Sequence, residues 1–292
     1  MINIIGKTGQ MGNRLFLFAH IVAYALQHNL SVSNLAFDEY GTYFEGTQHD
    51  VFSRFPSRKS GLPPTQWRRR YIYKVVIYLI DRCVRYRVPL LNLASIFVLA
   101  EGNCCRLTSP EFQNAVRSHS FLFLVGWRFQ DLALFDRHAD QIRRFFQPVS
   151  PHKEAIKALI QSCRADADIL IGIHIRRGDY KEFVDGQYFF SHEVYADLMR
   201  RAKALFPLQR VHFLICSNEP VPVEFFLDLD YSLGSNHLVG DMYSLAGCDY
   251  LLGPESTYSM WASFYGQVPL YQVYQPEKAL TKEAFVIRHG KF

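Results

Sequence analysis

The sequence lacks any long uninterrupted hydrophobic run, although apolar residues make up 49% of its 292 residues. Its longest apolar stretches, residues 75–80 and 88–100, are too short or too interrupted to span a bilayer. The N-terminus begins directly with an apolar strand pattern, without the basic, apolar and small-residue progression of a signal peptide. We therefore expect a globular cytoplasmic protein, either free in solution or peripheral at the inner face of the cell membrane.

Cysteine is sparse and shows no metal-binding pattern. The six cysteines form no Cys-x-x-Cys pair and do not combine with histidines at metal-ligand spacing. Cys104 and Cys105 are adjacent, an arrangement that disfavours an ordinary disulfide. We expect no structural metal and a reducing compartment.

The sequence also lacks a large excess of charge of one sign, because its formal net charge is only +5 and its pI is about 8.8. This mild excess fits an anionic substrate or a weak attraction to acidic membrane surfaces. A nucleic-acid partner would require a concentrated basic patch and is not expected. The clearest basic cluster, Arg68-Arg69-Arg70, lies in the periodic stretch 67–87. That stretch predicts a helix, either amphipathic at a membrane surface or core-facing with its arginines outside.

The most informative segment is Ile169–Tyr180, where an apolar run ends in a histidine, two arginines, a glycine and an aspartate. The run predicts a buried strand, and open α/β sheets bind ligands at the carboxyl ends of their strands. Arg176 and Arg177 suit a doubly charged ligand because guanidinium groups match phosphate oxygens two at a time. The segment therefore indicates a site for a phosphate-bearing small molecule. The alternative is a set of structural ion pairs between these arginines and the nearby acidic residues Asp179, Glu182 and Asp185.

The segment from His174 to Tyr180 resembles the signature of glycosyltransferase family 11, fucosyltransferases that use GDP-fucose and act mostly in α-1,2 linkage. Other segments resemble further motifs of that family in the same order. They are residues 9–16 (GQMGNRLF), 126–130 (GWRFQ), and 241–250 (DMYSLAGCDY) followed by 256–262 (STYSMWA). The sequence departs from the usual family residues at Arg14, Arg128 and Met260. Four motifs in order span most of the chain, so their joint signal is specific.

The resemblance implies a bacterial-type, inverting α-1,2-fucosyltransferase with a GT-B-like fold, in which two Rossmann-like α/β halves carry mainly parallel sheets. It implies that GDP-fucose is the donor and that an oligosaccharide or glycolipid acceptor is modified at the 2-OH of galactose. It also implies that the enzyme needs no cofactor and no metal, and that it acts in polysaccharide biosynthesis. The alternation of strands and helices favours parallel sheets independently. Two alternatives stay open: a transferase for another GDP-sugar or linkage, and a non-catalytic protein that binds a nucleotide or glycan on the same scaffold.

The resemblance also assigns roles to individual residues. Arg176 is expected to contact the β-phosphate, and Arg177 to add charge or hold the loop. His174 and Asp241 match positions that contact guanine in related α-1,6 enzymes. Hydroxyls and free N–H groups at a helix start form an anion site, and the first glycine-rich loop is expected to contact donor or acceptor. The residues expected to bind the nucleotide sugar in these two places are Gly12, Asn13, Ser256, Thr257, Tyr258 and Ser259.

The acidic candidates are less defined. Asp179 lies in the signature motif and is expected to be either a catalytic residue or the partner of an arginine. Asp38 and Glu39 follow the second predicted strand and are further candidates for the base that accepts the acceptor proton. Asp228-Leu229-Asp230 matches a metal-binding Asp-x-Asp pattern in form, and we interpret it as a solvated loop.

The proline-containing segment 147–151 predicts the domain boundary. We expect an N-terminal α/β domain over 1–148, on the acceptor side with a loop and helical insertion at about 39–100, and a C-terminal domain over 149–292 that binds the GDP-sugar. The predicted elements of the first domain are strand 2–5, helix 13–28, strand 31–37, loop 39–64, helix 67–87, strands 91–101 and 121–126, and helix 132–146. Those of the second are helix 152–163, strand 169–175, helix 191–206, strand 211–216, a strand near residue 238, helix 241–246, strand 250–252, helix 257–265 and strand 270–274.

Overall fold

In a computed structural model that describes residues 1–86 and 93–290, the chain divides into two compact units. The first comprises Met1–Val149 together with Gly290, and the second comprises Ser150–His289. Each unit is built on a parallel β-sheet connected through helices. The predicted class, an α/β fold with two Rossmann-like units and parallel sheets, is therefore confirmed. The division falls one residue after the predicted boundary, and Gly290 belongs to the first unit.

The first unit contains a four-stranded sheet in the order β2-β1-β5-β3, in which all neighbours are parallel. A short parallel pair, β4 with β6, lies outside it. The elements of this unit are β1 (Ile2–Ile4), α1 (Met11–His28), β2 (Val32–Asn34), α2 (Gln66–Arg85), β3 (Ala94–Val98), β4 (Cys105–Arg106), α3 (Pro110–Ser118), β5 (Phe121–Val125), β6 (Phe129–Gln130), α4 (Leu132–Arg137) and α5 (Ala139–Phe145).

Helix α1 forms the centre of the first core because it is apolar on most of its circumference. Phe18 is fully buried, and its ring meets those of Phe37, Phe145 and Phe146 edge to face at 5.3–5.5 Å between centroids. The helix begins at Met11, two residues earlier than predicted. Gly12 and Asn13 therefore lie in its first turn, which corrects their predicted place in the preceding loop.

The segment after β2 departs from the prediction in two ways. Residues 39–64 contain turns and isolated bridges without helix or strand, as expected, but β3 belongs to the main sheet, so the predicted insertion at 39–100 is too long. Helix α2 is present, yet its only fully buried side chain is Arg69, so the core-facing interpretation with arginines outside is wrong. The predicted strand 91–101 is observed as β3, while residues 87–92 lie outside the described ranges.

The buried guanidinium of Arg69 explains the position of the segment before α2. It donates to the carbonyl oxygens of Pro64, Thr47 and Gln48 at 3.1, 2.8 and 3.1 Å, and to the Ser53 hydroxyl at 2.9 Å. Burial lowers the pKa of Arg69 to about 10, so it stays charged at neutral pH. One side chain thus satisfies the carbonyls that a compact loop would otherwise leave unpaired.

The second unit contains a five-stranded parallel sheet in the order β11-β10-β7-β8-β9. From β7 the chain builds outward to β8 and β9, then returns to the other side of β7 with β10. The crevice at such a reversal is where open α/β sheets bind ligands. The elements are α6 (Ser150–Cys163), β7 (Ile169–Ile175), α7 (His192–Ala204), β8 (Val211–Ser217), β9 (Tyr231–Leu233), α8 (Leu238–Leu245), β10 (Tyr250–Pro254), α9 (Thr257–Gly266) and β11 (Leu270–Val273).

Three predicted elements are wrong in their type or extent. The strand predicted over 31–37 ends at Asn34 as β2, and residues 35–37 form a 3-10 helix. The strand expected near Leu238 is the first turn of α8, because His237 caps that helix by accepting from the backbone N–H groups of Val239 and Gly240. The helix expected over 132–146 is broken into α4 and α5 at His138. No helix in the described ranges combines the length and apolar character that a bilayer crossing requires.

Candidate functional site

The signature residues lie at the carboxyl end of β7, the strand at which the strand order of the second sheet reverses. Strand β7 ends at Ile175 and pairs with β10, with Ile173 opposite Leu252. This register carries the segment that follows β7 past the end of β10, where α9 begins. Arg176 and the first turn of α9 are therefore brought to the same edge of the sheet.

Arg176 is held by the carboxylate of Asp179 in a two-point contact. Its Nε and Nη2 donate to the two oxygens of Asp179 at 2.9 and 2.7 Å. The guanidinium also lies 5.3 Å from the centroid of the Tyr180 ring. Only 14% of the Arg176 side chain is exposed, against 49% of the Asp179 side chain. Such a fork-to-carboxylate pair fixes the plane of the guanidinium, which places Asp179 as the partner of an arginine.

Arg177 holds the loop that contains the signature. Its guanidinium donates to the carbonyl oxygen of Phe190 at 2.7 Å and to the Glu219 carboxylate at 3.3 Å. Glu219 also accepts from the backbone N–H of Gly178 at 2.9 Å, a residue with the left-handed φ of +49° that glycine tolerates. Asn218 accepts from the backbone N–H of Arg177 at 2.9 Å. Of the two expected roles, the structure shows loop support.

Sequence reasoning missed Asn218 and Glu219. Both directly follow β8, which pairs with β7 through Ile175 and Ser217. Neighbouring parallel strands end at the same edge of a sheet, so polar residues after β8 must lie beside those after β7. That position was the signal that could have identified them.

His174 is buried in β7 one residue before the strand ends, and only 5% of it is exposed. Burial, assisted by the charge of Arg176, lowers its pKa to about 3, so the imidazole is neutral at physiological pH. Its ring lies 4.9 Å from that of Tyr258, centroid to centroid. Among the described residues, its Nδ1 has no hydrogen-bond partner. A buried ring nitrogen without a partner is costly and offers a contact for a ligand.

Asp241 lies in the first turn of α8 and is 5% exposed. Its Oδ1 accepts from the backbone N–H and the hydroxyl of Ser235 at 2.7 and 2.9 Å. Burial raises the pKa of this carboxyl. Tyr258 connects it with His174, because the Tyr258 hydroxyl donates to the carbonyl oxygen of Leu238 in the same helical turn at 2.7 Å. The structure therefore brings His174, Tyr258 and Asp241 into one neighbourhood.

The first turn of α9 completes the group. Ser256 caps this helix and accepts from the backbone N–H of Tyr258 at 3.2 Å, and the Ser259 hydroxyl donates to the carbonyl oxygen of Ser256 at 3.2 Å. Thr257 is the first helical residue. The Tyr180 hydroxyl donates to the carbonyl oxygen of Glu255 at 2.6 Å, which ties the signature loop to this turn. A helix start attracts anions because its first N–H groups are unpaired within the helix.

The candidate residues of the first unit form a separate group at the carboxyl ends of β1 and β2. Lys7 lies 2.7 Å from Asp38 and 3.4 Å from Glu39, and Arg14 lies 2.8 Å from Glu39. Both acids considered as bases are thus ion-paired. The side chain of Asn13 packs beside Gly9, since a Cβ placed on that glycine would lie 2.1 Å from the Asn13 Nδ2.

The Asp-x-Asp pattern is an ion-paired surface loop. Asp228 receives both Nε and Nη2 of Arg200 at 2.7 Å, and Asp230 lies 3.7 Å from Lys203. Both carboxylates are more than half exposed. This agrees with the interpretation of residues 228–230 as a solvated loop.

The fold has counterparts among solved structures. A mutant of FUT1 from Arabidopsis thaliana in complex with GDP is 14% identical, with a TM-score of 0.61 over 97% of this chain and 72% of that one. NodZ, a Bradyrhizobium α-1,6-fucosyltransferase soaked with GDP-fucose, is 17% identical, with a TM-score of 0.54 over 93% and 94%. POFUT1 in complex with GDP is 9% identical, with a TM-score of 0.52 over 90% and 93%.

The sequence comparisons give a different result, since neither a protein-family model nor a curated protein matches the chain. Membership of glycosyltransferase family 11 therefore stays a prediction. At identities of 17% or less, the structural likenesses establish the fold. The chain has a GT-B-like fold, similar to that of solved fucosyltransferases, made of two Rossmann-like α/β units.

Proposed function

We propose that this protein is a fucosyltransferase that takes L-fucose from GDP-fucose. The observation that carries the proposal is the placement of Arg176 and the start of α9 at the same edge of the second sheet, where His174 is buried and neutral. The solved structures with the same fold include a fucosyltransferase soaked with GDP-fucose and proteins in complex with GDP. Fold alone does not determine function, so the function must follow from what these residues can bind.

The diphosphate leaving group would be bound by Arg176 and the first turn of α9. Negative charge grows on the leaving group as the bond to the sugar breaks, so fixed positive charge there stabilises the transition state. Asp179 orients the guanidinium in advance through its two contacts. Because an arginine and a helix start supply this charge, we propose that transfer needs no metal ion.

The guanine base would be recognised by His174 and Asp241. The carboxylate of Asp241 can accept from both N1–H and the exocyclic amino group of guanine, whereas adenine lacks this pair of donors. The neutral imidazole of His174 has one donor and one acceptor nitrogen, and its Nδ1 is without a partner among the described residues. A ligand group there would remove the cost of leaving that nitrogen buried and unpaired.

The finer parts of the proposal concern the reaction and its setting. Transfer would proceed with inversion to the 2-OH of a galactose in an oligosaccharide or glycolipid, during polysaccharide biosynthesis at the cytoplasmic side of the membrane. Asp179 is the candidate nearest Arg176, but both of its carboxylate oxygens accept hydrogen bonds from the guanidinium. A loose, cation-like transition state demands little deprotonation, so positioning of the leaving group would dominate the rate.

Thermal stability in the presence of GDP, ADP or UDP, with and without EDTA, tests the nucleotide assignment. Of the three nucleotides, only GDP should stabilise the protein, by about 2.7 kcal/mol at a concentration of about 100 times its Kd. EDTA should not change this stabilisation. Asp241→Asn should remove the preference for GDP. Asp166→Asn is the matched control, because Asp166 is 98% exposed and lies outside the site. Equal stabilisation by the three nucleotides would contradict the assignment of Asp241.

A transfer assay tests the reaction itself. Arg176→Lys keeps a positive charge but loses the planar fork, and removing one such preorganised contact should cost about a hundredfold or more in rate. Turnover with GDP-mannose in place of GDP-fucose would instead support a transferase for another GDP-sugar. GDP binding without turnover on any galactose-containing acceptor would support a non-catalytic nucleotide-binding protein. Both alternatives are tested because the sequence departs from the family pattern at Arg14, Arg128 and Met260.

A further inference from the structure

Helix α2 presents an exposed face made of aromatic and basic side chains. Trp67, Tyr71 and Tyr78 are 63%, 62% and 58% exposed. They are separated by four and seven residues, which places them on one side of a helix. The basic residues that share this exposed side are Arg70, Lys74, Arg82 and Arg85.

The opposite side of α2 is attached to the first unit. Arg69 is fully buried and donates to three carbonyl oxygens and one hydroxyl. The Tyr73 hydroxyl donates to the carbonyl oxygen of Ile5, and the Lys7 ammonium lies 4.3 Å from the Tyr73 ring centroid. These contacts fix the rotation of the helix about its axis. The aromatic and basic face is therefore held outward by structure on the other side.

Charge is concentrated in this one element. The helix has six basic residues, Arg68, Arg69, Arg70, Lys74, Arg82 and Arg85, against the single acid Asp81, a net charge of +5. The whole chain also has a net charge of +5, so the remainder is formally neutral. Asp81 lies 3.0 Å from Arg85, with both side chains more than half exposed, and such a pair compensates little of the local field.

The combination of rings and cations specifies the partner. Tyrosine and tryptophan prefer the headgroup level of a bilayer because one end of each ring is apolar and the other polar. Arg82 lies 5.7 and 4.9 Å from the rings of Tyr78 and Tyr86, and Arg68 lies 5.2 Å from that of Trp67. Cations between such rings can reach lipid phosphates while the rings enter the acyl boundary. Nucleic acid would use the charge but would not require so large an aromatic surface.

We propose that α2 docks the protein on an anionic phospholipid bilayer, lying in the plane of the headgroups. Twenty residues of helix at about 1.5 Å each give a contact about 30 Å long. The interaction is peripheral, because α2 is too polar to cross the bilayer. It does not depend on the identity of the nucleotide sugar.

Cosedimentation with vesicles tests the docking. The full chain should bind vesicles in which roughly a quarter of the phosphatidylcholine is replaced by phosphatidylglycerol, and not phosphatidylcholine alone. Binding should weaken steeply when NaCl is raised to about 1 M, since the screening length falls to about 3 Å. Replacing three cations by Arg70→Gln, Lys74→Gln and Arg82→Gln should reduce affinity roughly a hundredfold, at roughly fivefold each.

A matched variant controls for net charge. Lys153, Lys157 and Lys278 are exposed in the second unit, so their replacement by glutamine removes the same charge elsewhere. This control should bind anionic vesicles within roughly threefold of the parent. Equal losses in the two variants would show that net charge alone is responsible and would overturn the proposal. Binding to RNA but not to vesicles, or self-association through this face without vesicle binding, would also overturn it.

Fluorescence locates the contact. The chain has three tryptophans, of which Trp261 is fully buried, so a Trp127→Phe variant leaves Trp67 as the solvent-sensitive reporter. Its emission should shift to shorter wavelength with anionic vesicles, and a lipid-borne quencher placed near the headgroups should reduce it. Trp67→Ser should remove both effects and weaken binding. Vesicle binding with unchanged Trp67 emission would contradict docking through this face.

Discussion

Lowering the pH from about 8 to about 5 should destabilise the first unit through one buried histidine. His20 lies in α1, and its Nε2 is 2.7 Å from the carbonyl oxygen of Gly290. Its Nδ1 accepts from the backbone N–H of Asp131 at 3.1 Å. The ring must therefore be neutral with its proton on Nε2. A second proton on Nδ1 would face the Asp131 N–H group and break that hydrogen bond.

The magnitude follows from the pKa of His20, which burial lowers from 6.5 to about 4. Between these values the unfolded chain binds a proton that the folded chain does not, so the free energy of unfolding falls as the pH falls through this window. The contribution of the neutral ring is complete above about pH 6.5. The loss should reach about 2 kcal/mol at about pH 5 and about 3 kcal/mol at about pH 4.

The assay must distinguish the two units, because His174, with a pKa of about 3, destabilises the second unit in the same direction. Hydrogen exchange measured by mass spectrometry, corrected for intrinsic rates, reports α1 and β7 separately. The control is His20→Gln, whose amide supplies one donor and one acceptor without titrating. Protection of α1 should fall by about 2 kcal/mol in the parent and by less than about 0.5 kcal/mol in the variant. An equal fall in both proteins would refute the reasoning.

Three other predictions concern backbone, packing and the site. Arg69→Met should destabilise by at least about 3 kcal/mol in urea titrations, since several buried carbonyls lose their donor; Arg70→Met, on the exposed side, should change stability by under about 0.5 kcal/mol. Gly9→Ala should cost at least about 1 kcal/mol because φ is +61° and the new Cβ meets a side chain, whereas Gly61→Ala meets nothing. Asp179→Asn should lower kcat about tenfold with an unchanged pH profile; a loss above about a hundredfold would instead indicate a catalytic base.

The sequence was most informative where local pattern and topology agree. An apolar run buried in the middle of a parallel sheet has little choice of structure, so β7 matches the predicted strand 169–175 at both ends. Its carboxyl end then had to lie at the edge where open α/β sheets generally bind ligands. The start of α9 could also be predicted from local sequence, because Ser256 has the hydroxyl that a helix cap needs.

Features that depend on contacts between residues far apart in the sequence could not be predicted from it. The bond between His20 and Gly290 joins residues 270 positions apart, and no local pattern records it. Arg69 belongs to a basic run whose composition suggests exposure. Its guanidinium is nevertheless buried, because it donates to carbonyl oxygens of the preceding loop. A strand was expected near Leu238, but the capping side chain of His237 starts a helix there. In each case a tertiary or capping hydrogen bond outweighed local composition.

The order of strands in the first sheet has a consequence for synthesis on the ribosome. Strand β1 pairs on one side with β2, through Ile2 and Val32, and on the other with β5, through Ile2 and Leu122. The second pairing must wait for a segment made 120 residues later, a delay of roughly 6–24 s at typical elongation rates. Throughout that interval one edge of an apolar nascent strand stays open to other chains, so yield in a foreign host should depend on chaperone supply and translation speed.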